Sequence, residues 1–371
     1  GLPATELPRD APMTRHPPSS TTPSTHPPAT RPSTRTPTRD AHSLAVSEPP
    51  RLAISRRLFE ASGAPVSGED LARELGMSRA AVAKHISGLR ELGFALEASP
   101  RRGYSLSSWP DRLEPEALAP LVSTRALGRS HLHLGSCGST NAEAFAAALS
   151  GAPHGHLVTA DRQDAGRGRR GRTWHSAPME GLYFSLVLRP SLPPQRVAPL
   201  TLACAVALAE AIESETGLSP LLKWPNDLLL GDRKLSGILL ELRADPERVD
   251  FVVAGIGLNV SQSSFPDDLA ATSLLMETGR PSLRPRILAS LLGSLERWID
   301  RFVTEGPAPV IAAFRARAAL LGSPVTIHGV SETIEGLYED IDETGALLLR
   351  DSSGALLPIL AGDVSLRGPS K

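Results

Sequence analysis

From residue 51 onward the period of the apolar positions changes several times. Over 51–62 Leu52, Leu58 and Phe59 recur at helical spacing. Ser67 stands three residues before Asp70 and ahead of an apolar pair at Leu71 and Leu75, a capping signature for a helix start. Gly76-Met77 makes a turn, and Ser78 caps a second helix reaching about Leu92. On that helix Val82, Ile86 and Leu89 share one face, with Ala80, Lys84 and Ser87 opposite. Two short helices joined at a glycine turn predict a helix-turn-helix, whose second helix enters a DNA major groove. The short apolar runs 94–97 and 104–106 flank Pro100-Arg101-Arg102-Gly103 and predict a two-stranded wing tipped by arginines.

After a proline-interrupted connector at 109–127, the pattern mixes periods. Runs 156–160 and 182–188 read as strands, and 197–216 as an apolar helix. The stretch 221–230 reads as strand, turn and strand around Pro225-Asn226-Asp227, placing Lys223 and Trp224 on opposite faces. Residues 231–233 close a further hairpin into Lys234–Glu241, and 251–254 leads into Gly255-Ile256-Gly257-Leu258-Asn259. Consecutive hairpins with flanking helices predict a largely antiparallel sheet in an α+β domain. Helical segments follow at 284–303 and 307–320, then four short β runs (325–327, 333–338, 346–350 and 356–360) with Gly and Asp turns between 323 and 366, a small barrel-like module packed on the centre.

Composition adds the ends and excludes some classes. Residues 1–50 hold twelve of 34 prolines and almost no large apolar residue, which predicts a disordered tail. The predicted domains are therefore 1–50 tail, 51–108 winged helix-turn-helix, 109–127 linker, 128–320 central catalytic domain and 321–371 C-terminal module. Net charge is −1, so nucleic-acid binding has to be local. Residues 51–107 supply that locality, with nine basic against six acidic side chains. Ala80, Ala81 and Lys84 would face the groove and Arg101 and Arg102 the DNA backbone, with Arg79 a further DNA-binding candidate. The bland alternative is a winged helix used for packing or dimerisation. Two cysteines with no metal-type spacing suit a reducing cytosol, and no apolar run reaches the length of a membrane span, so a cytoplasmic protein without membrane contact is expected. Cys137 and Cys204 read as small buried hydrophobes.

The chemistry concentrates in Gln163–Trp174, where Gly166, Gly168 and Gly171 interleave with Arg167, Arg169, Arg170 and Arg172. Glycine lets backbone N–H groups approach a ligand, and arginine presents a planar fork of donors matched to phosphate or carboxylate. The spacing also fits a dinucleotide fingerprint. That reading fails, because a strand rather than a helix follows and no acidic residue stands about 20 positions on. A solvated surface loop is the plain alternative to an anion cradle. Ser139, Thr140 and Asn141 precede an alanine-rich helix; they cap it or bind a small polar ligand. Only four lysines occur among 39 basic residues, which makes Lys223 and Lys234 conspicuous. No nucleophile elbow, zinc-protease helix or Cys–His pair competes.

With these motifs in order, residues 51–368 resemble the bifunctional biotin protein ligases of the biotin operon repressor type. The resemblance rests on Gly76–Ala81, Ser139-Thr140-Asn141, the Gln163–Trp174 loop, Lys223-Trp224-Pro225-Asn226-Asp227, Lys234–Leu239 and Gly255–Asn259. It implies a central domain related to class II aminoacyl-tRNA synthetases and an SH3-like C-terminal β barrel. It implies that biotin and MgATP give biotinyl-5′-adenylate, which then acylates a lysine of a biotin carboxyl carrier protein. By motif match, Ser139, Thr140, Asn141, Gln163, Arg167, Gly168, Arg169, Lys223, Gly237 and Asn259 contact biotin or the adenylate, with Lys223 and Arg169 catalytic. Mg²⁺ would ride mainly on the nucleotide phosphates, and no protein ligand for it is named. A ligand-promoted homodimer on operator DNA is implied as well. A lipoate or octanoyl ligase is the alternative enzyme, and a ligand-sensing repressor without catalysis the alternative of another class.

Overall fold

The computed structural model describes residues 48–329 and 332–366. The proline-rich tail predicted for 1–50 falls almost entirely outside them, as does Lys371. From residue 48 onward the chain makes one compact unit.

The winged helix comes first. Helices α1 (Pro50–Glu60), α2 (Gly68–Glu74) and α3 (Arg79–Glu91) are followed by β1 (Ala95–Ser99) and β2 (Gly103–Ser108), an antiparallel pair. Both serine caps form: Ser67 accepts from the N–H groups of Glu69 and Asp70, and Ser78 from that of Ala81. Ile54, Leu58, Leu71, Val82, Ile86, Leu89 and Phe94 close a core of their own. The linker completes it. Ala117 of α4 (Pro115–Leu118) lies in that core, and the Trp109 indole N–H donates to its carbonyl at 2.9 Å.

The central region runs β3 (His131–Leu134), α5 (Thr140–Leu149), β4 (His156–Ala160), β5 (Gly181–Leu188), α6 (Leu200–Thr216), β6 (Leu221–Lys223), β7 (Asp227–Leu230), β8 (Arg233–Ala244), β9 (Val249–Asn259), α7 (Leu274–Thr278), α8 (Arg284–Glu305) and α9 (Ala308–Arg315). Among the described residues its strands form a seven-stranded sheet in the order β3-β4-β5-β9-β8-β7-β6. Every neighbouring pair is antiparallel except β3 with β4. The expected antiparallel sheet is there; a strand ahead of the Ser139–Asn141 helix start is expected without bounds, and β3 supplies it, paired in parallel with β4.

Both faces of this sheet are covered, so all eight residues of β5 are buried. On one face lie α6 and α8. The stripe Ile287, Leu288, Leu291, Leu295, Trp298 and Phe302 of α8 turns inward at helical spacing. The segment Pro194–Thr216 is, by length and composition, apolar enough to cross a membrane, contrary to the expectation that no run reaches that length. It is a core helix, with 72% of its most apolar window buried in the protein. On the other face α5 packs Ala144 and Ala148 onto Val158, Val187, Phe251 and Val253.

At the start of α8 lies Arg284, fully buried. Its N–H and Nε donate to the two carboxylate oxygens of Asp111 in the linker, at 2.7 and 3.1 Å. Its Nη1 reaches Asp161, just past β4, at 3.3 Å.

Strands β10 (Pro324–His328), β11 (Thr333–Ile341), β12 (Leu347–Arg350), β13 (Leu356–Ile359) and β14 (Asp363–Leu366) form an antiparallel sheet ordered β13-β12-β11-β10-β14. Val325, Ile327, Tyr338 and Leu347 belong to the same core as the central helices, so this module packs on the centre as expected. The sequence pattern ended in four β runs; β14 is the one it lacked. The helix expected over 307–320 stops at Arg315, and Ala318 instead bridges to Leu222.

Candidate active site

Side chains directly opposite on neighbouring antiparallel strands share a face. On the α5 face, β9 presents Phe251, Val253, Gly255, Gly257 and Asn259 in succession. The first two pack under α5. The next two have no side chain, and the sheet opens there into a cavity of about 280 Å³ beside the N-terminus of α5. The gap extends across the sheet, because Gly257 pairs with Gly237 on β8. Beyond Gly237 the same row continues through Asp227 on β7 to Lys223 on β6. A floor of glycines thus ends in a carboxylate and an ammonium.

The wall at α5 is a connected polar group. Asn141 Nδ2 donates to Glu241 at 2.8 Å, and its Oδ1 lies 2.7 Å from the Ser185 hydroxyl. Gln163 Oε1 accepts from the Thr140 N–H at 2.8 Å. Its Nε2 donates to Ser176 at 3.1 Å. A Cβ on Gly255 would collide with the Asn141 side chain, so glycine at that position is what admits the carboxamide. Ser139 occupies the N-cap position but its side chain makes no cap hydrogen bond, which corrects the capping alternative. Thr140 bonds to Gln163 instead.

The opposite wall is the arginine loop. Segment 162–165 runs beside 137–138 through backbone bonds such as Asp164 N–H to Cys137 O, 2.9 Å. The rest folds back on itself, with Gly168 N–H donating to Arg172 O at 2.7 Å and Trp174 N–H to Gly166 O at 2.9 Å. Trp174 then lies over the glycine floor, where a Cβ on Gly257 would meet its indole. Lys234 Nζ stands 5.4 Å from the Trp174 ring centroid and 2.8 Å from Asp227 Oδ1. The indole N–H is buried without a hydrogen-bond partner.

Charge at the site is dense and mixed, four cations against the carboxylates of Asp227, Asp268 and Asp363. Arg167, Arg169, Arg172 and Lys234 border the cavity. Burial draws Arg169 below its ordinary pKa, with Asp227 opposing and Arg170 and Arg172 adding to the fall. Lys223 is treated the same way: burial lowers it, Asp227 opposes, and Lys234 and Arg172 push it further down. Both cations are held at an electrostatic cost that an incoming anion would relieve.

Residues 139–259 match the Biotin/lipoate A/B protein ligase family, 51–105 an HTH domain, and 320–367 the Biotin protein ligase C terminal domain. The Bifunctional ligase/repressor BirA of Bacillus spizizenii is 37% identical over 314 residues, 83% of this chain and 96% of that protein. The chain belongs to the bifunctional biotin ligase/repressor family. The Escherichia coli protein of the same name is 33% identical over 84% of this chain and 96% of its own. Among solved structures, the Biotin protein ligase from Aquifex aeolicus in complex with biotin and ATP aligns with a TM-score of 0.57 and 30% identity, covering 64% of this chain and 99% of that one.

Of the positions the ligase/repressor resemblance pointed to, Ser139, Thr140, Asn141, Gln163, Arg167, Gly168, Arg169, Gly237 and Asn259 line one cavity. Lys223 is not on its wall. It sits at the end of the cross-strand row, half-buried, with the wall residues Asp227, Lys234 and Arg172 as its electrostatic neighbours. Lys234, conspicuous as a lysine, lines the cavity too, as do Trp174, Asn226, Asp227 and Asp363, which had no role assigned. Trp174, Asn226 and Asp227 lie inside quoted motifs; nothing in the sequence marks Asp363. Cys204 is buried, while Cys137 is only half-buried, because its backbone pairs with Gln163 at the cavity edge. In the winged helix Arg79, Ala80, Lys84, Arg101 and Arg102 are exposed and Ala81 partly so.

Proposed function

We propose that this chain is an ATP-dependent biotin protein ligase working in the glycine-floored cavity, and that it also binds operator DNA through its winged helix. The observation that carries the reading is the cross-strand row Lys223–Asp227–Gly237–Gly257 facing the arginine loop. It joins a slot for an uncharged ring system to a concentration of cations. A carboxylate attacking an α-phosphate brings two anions together, and such a step needs fixed positive groups and backbone donors more than a covalent nucleophile.

In this reading the biotin carboxylate oxygen bonds to the α-phosphorus as the bond to the pyrophosphate oxygen breaks, giving a mixed anhydride. Ser139, Thr140, Asn141 and Gln163 orient the acid. Lys223 and Arg169 neutralise charge on the phosphoryl oxygens, with Arg167 and the Gly168 backbone closing over them. The uncharged amine of an acceptor lysine then attacks the acyl carbon, AMP leaves, and the amine proton passes to solvent. Mg²⁺ arrives with ATP as part of the substrate. Asp227 and Asp363, the carboxylates beside the proposed phosphate path, are already paired with Lys234 and with loop arginines.

Relatives called Biotin--[acetyl-CoA-carboxylase] ligase, such as that of Mycobacterium tuberculosis at 38% identity over 85% of its length, favour a biotin carrier domain as acceptor over a lipoyl one. Incorporation of biotin into such a carrier domain, with MgATP supplied and then omitted, tests the ligase. Label in the carrier only with nucleotide is expected; none with both present sinks the reading. Lipoate offered in competition should leave the rate unchanged. For the second arm, biotinyl-adenylate would promote a homodimer on a two-fold site. A mobility-shift assay with and without biotin plus ATP tests it, and a shift indifferent to both counts against regulation.

A further inference from the structure

Three arginines of the loop share one carboxylate, and it comes from the C-terminal module. Asp363, the first residue of β14, is ion-paired with Arg172, lies 3.2 Å from Arg170 Nη1 and 3.8 Å from Arg169 Nη1. The same module also offers carbonyls. Arg170 donates to His328 O at 2.6 Å and to Gly329 O, and Arg169 Nη1 to Gly362 O at 3.4 Å. One carboxylate therefore lies within ion-pair range of three guanidiniums, while Asp227 also acts electrostatically on Arg169. Asp227 is itself paired with Lys234 at 2.8 Å, and Glu241 with Arg167 at 3.8 Å.

Asp363 itself borders the cavity. A polyphosphate seated on those guanidiniums would meet the carboxylate as a like charge at close range, and the two anions cannot share the cluster. We propose that Asp363 is a positioning residue: it holds the arginine loop against the C-terminal module in the unliganded protein and yields the guanidiniums to the nucleotide's polyphosphate. This rests on the reading of the cavity as a site for adenylate formation. The carboxylate acts only through Arg169, Arg170 and Arg172, and its hold lowers apparent nucleotide affinity by the fraction of protein in which the loop is free.

The test compares the full chain with Asp363→Asn and Asp363→Glu, using inorganic tripolyphosphate as probe in calorimetry and ATP–pyrophosphate exchange for kinetics. The Asn variant, isosteric but uncharged, should bind tripolyphosphate about fivefold or more tightly. Its KM for ATP should fall in proportion with no gain in kcat, and trypsin should cut the unliganded loop faster. The Glu variant should behave as the unaltered chain, which a merely structural role for the side chain would not predict. A folded Asn variant that binds tripolyphosphate equally or less well overturns the proposal. Should that variant not fold, hydrogen exchange on the unaltered chain decides. Amides at 328–329 and 362–364 must lose protection as tripolyphosphate is added, and a gain of protection overturns it. An unaltered chain that binds no tripolyphosphate and exchanges no pyrophosphate overturns this proposal and the ligase reading together. Binding and exchange without a tighter Asn variant overturn this one alone.

Discussion

At Gly255 a methyl group would land on the Asn141 carboxamide. Gly255→Ala must therefore turn Asn141 away and break its contacts to Ser185 and Glu241. The expected result is a KM for biotin raised at least about tenfold, with a loss of about 1–3 kcal/mol in stability from overpacking; steady-state kinetics and thermal melts check both. Lys223 makes a different kind of claim. Replacing it with Ala should slow adenylate formation by about 10²-fold or more, the usual cost of losing one fixed electrostatic donor. The sign of its pH dependence follows from burial, which lowers the pKa. A step that needs the ammonium fades as pH rises through that lowered value, so the alkaline limb should begin below the range of a free lysine. Lys223→Arg, slower at its optimum, should carry the limb to higher pH because a guanidinium stays charged. An unmoved limb would assign the titration elsewhere. At this scale the sequence told most about residues inside runs of unusual composition. Lys223 stands out in a lysine-poor chain. Asp363 is one more aspartate in a turn, and only the fold brings it within reach of a loop nearly 200 positions earlier.

Among the elements, α3 was the most legible, because capping serine, apolar stripe and outward face are all local. Ser78 caps it, Val82, Ile86 and Leu89 are buried, and Arg79, Ala80 and Lys84 are left outward. At the wing tip, Arg101→Ala should weaken binding to DNA of any sequence and reduce the slope of log K against log salt by about 1, as loss of one phosphate contact requires. Anisotropy titrations across salt concentrations measure it, and an unchanged slope would place Arg101 away from the backbone. The bounds of β3, and β14 altogether, were illegible for the opposite reason. Each has four residues, and each is held where a neighbour offers an edge: β4 to β3, β10 to β14. Long-range pairing is not written in local alternation. The arginine loop lies between these cases. Its donors were plain from composition, but the backbone bonds that fold it back on itself, and the module that it leans on, appear only in three dimensions.

For the whole molecule, the buried guanidinium at the head of α8 sets a limit on dissection. Linker and catalytic sheet each lend Arg284 a carboxylate, and the linker's share comes from Asp111 through both oxygens. Asp161, the other lender, gives Arg284 its Oδ1 and lies 3.5 Å from His133 through Oδ2. A ligase fragment trimmed to start at residue 113 would thus leave the guanidinium one carboxylate of its two, a defect approaching about 3–5 kcal/mol, while one trimmed to start at 109 would keep both. Removing the DNA-reading head is consequently limited by the linker, whose Trp109 and Ala117 finish that head's core while its Asp111 serves the ligase. Activity lost on careless trimming would report a weakened Arg284 site rather than any catalytic part played by that head.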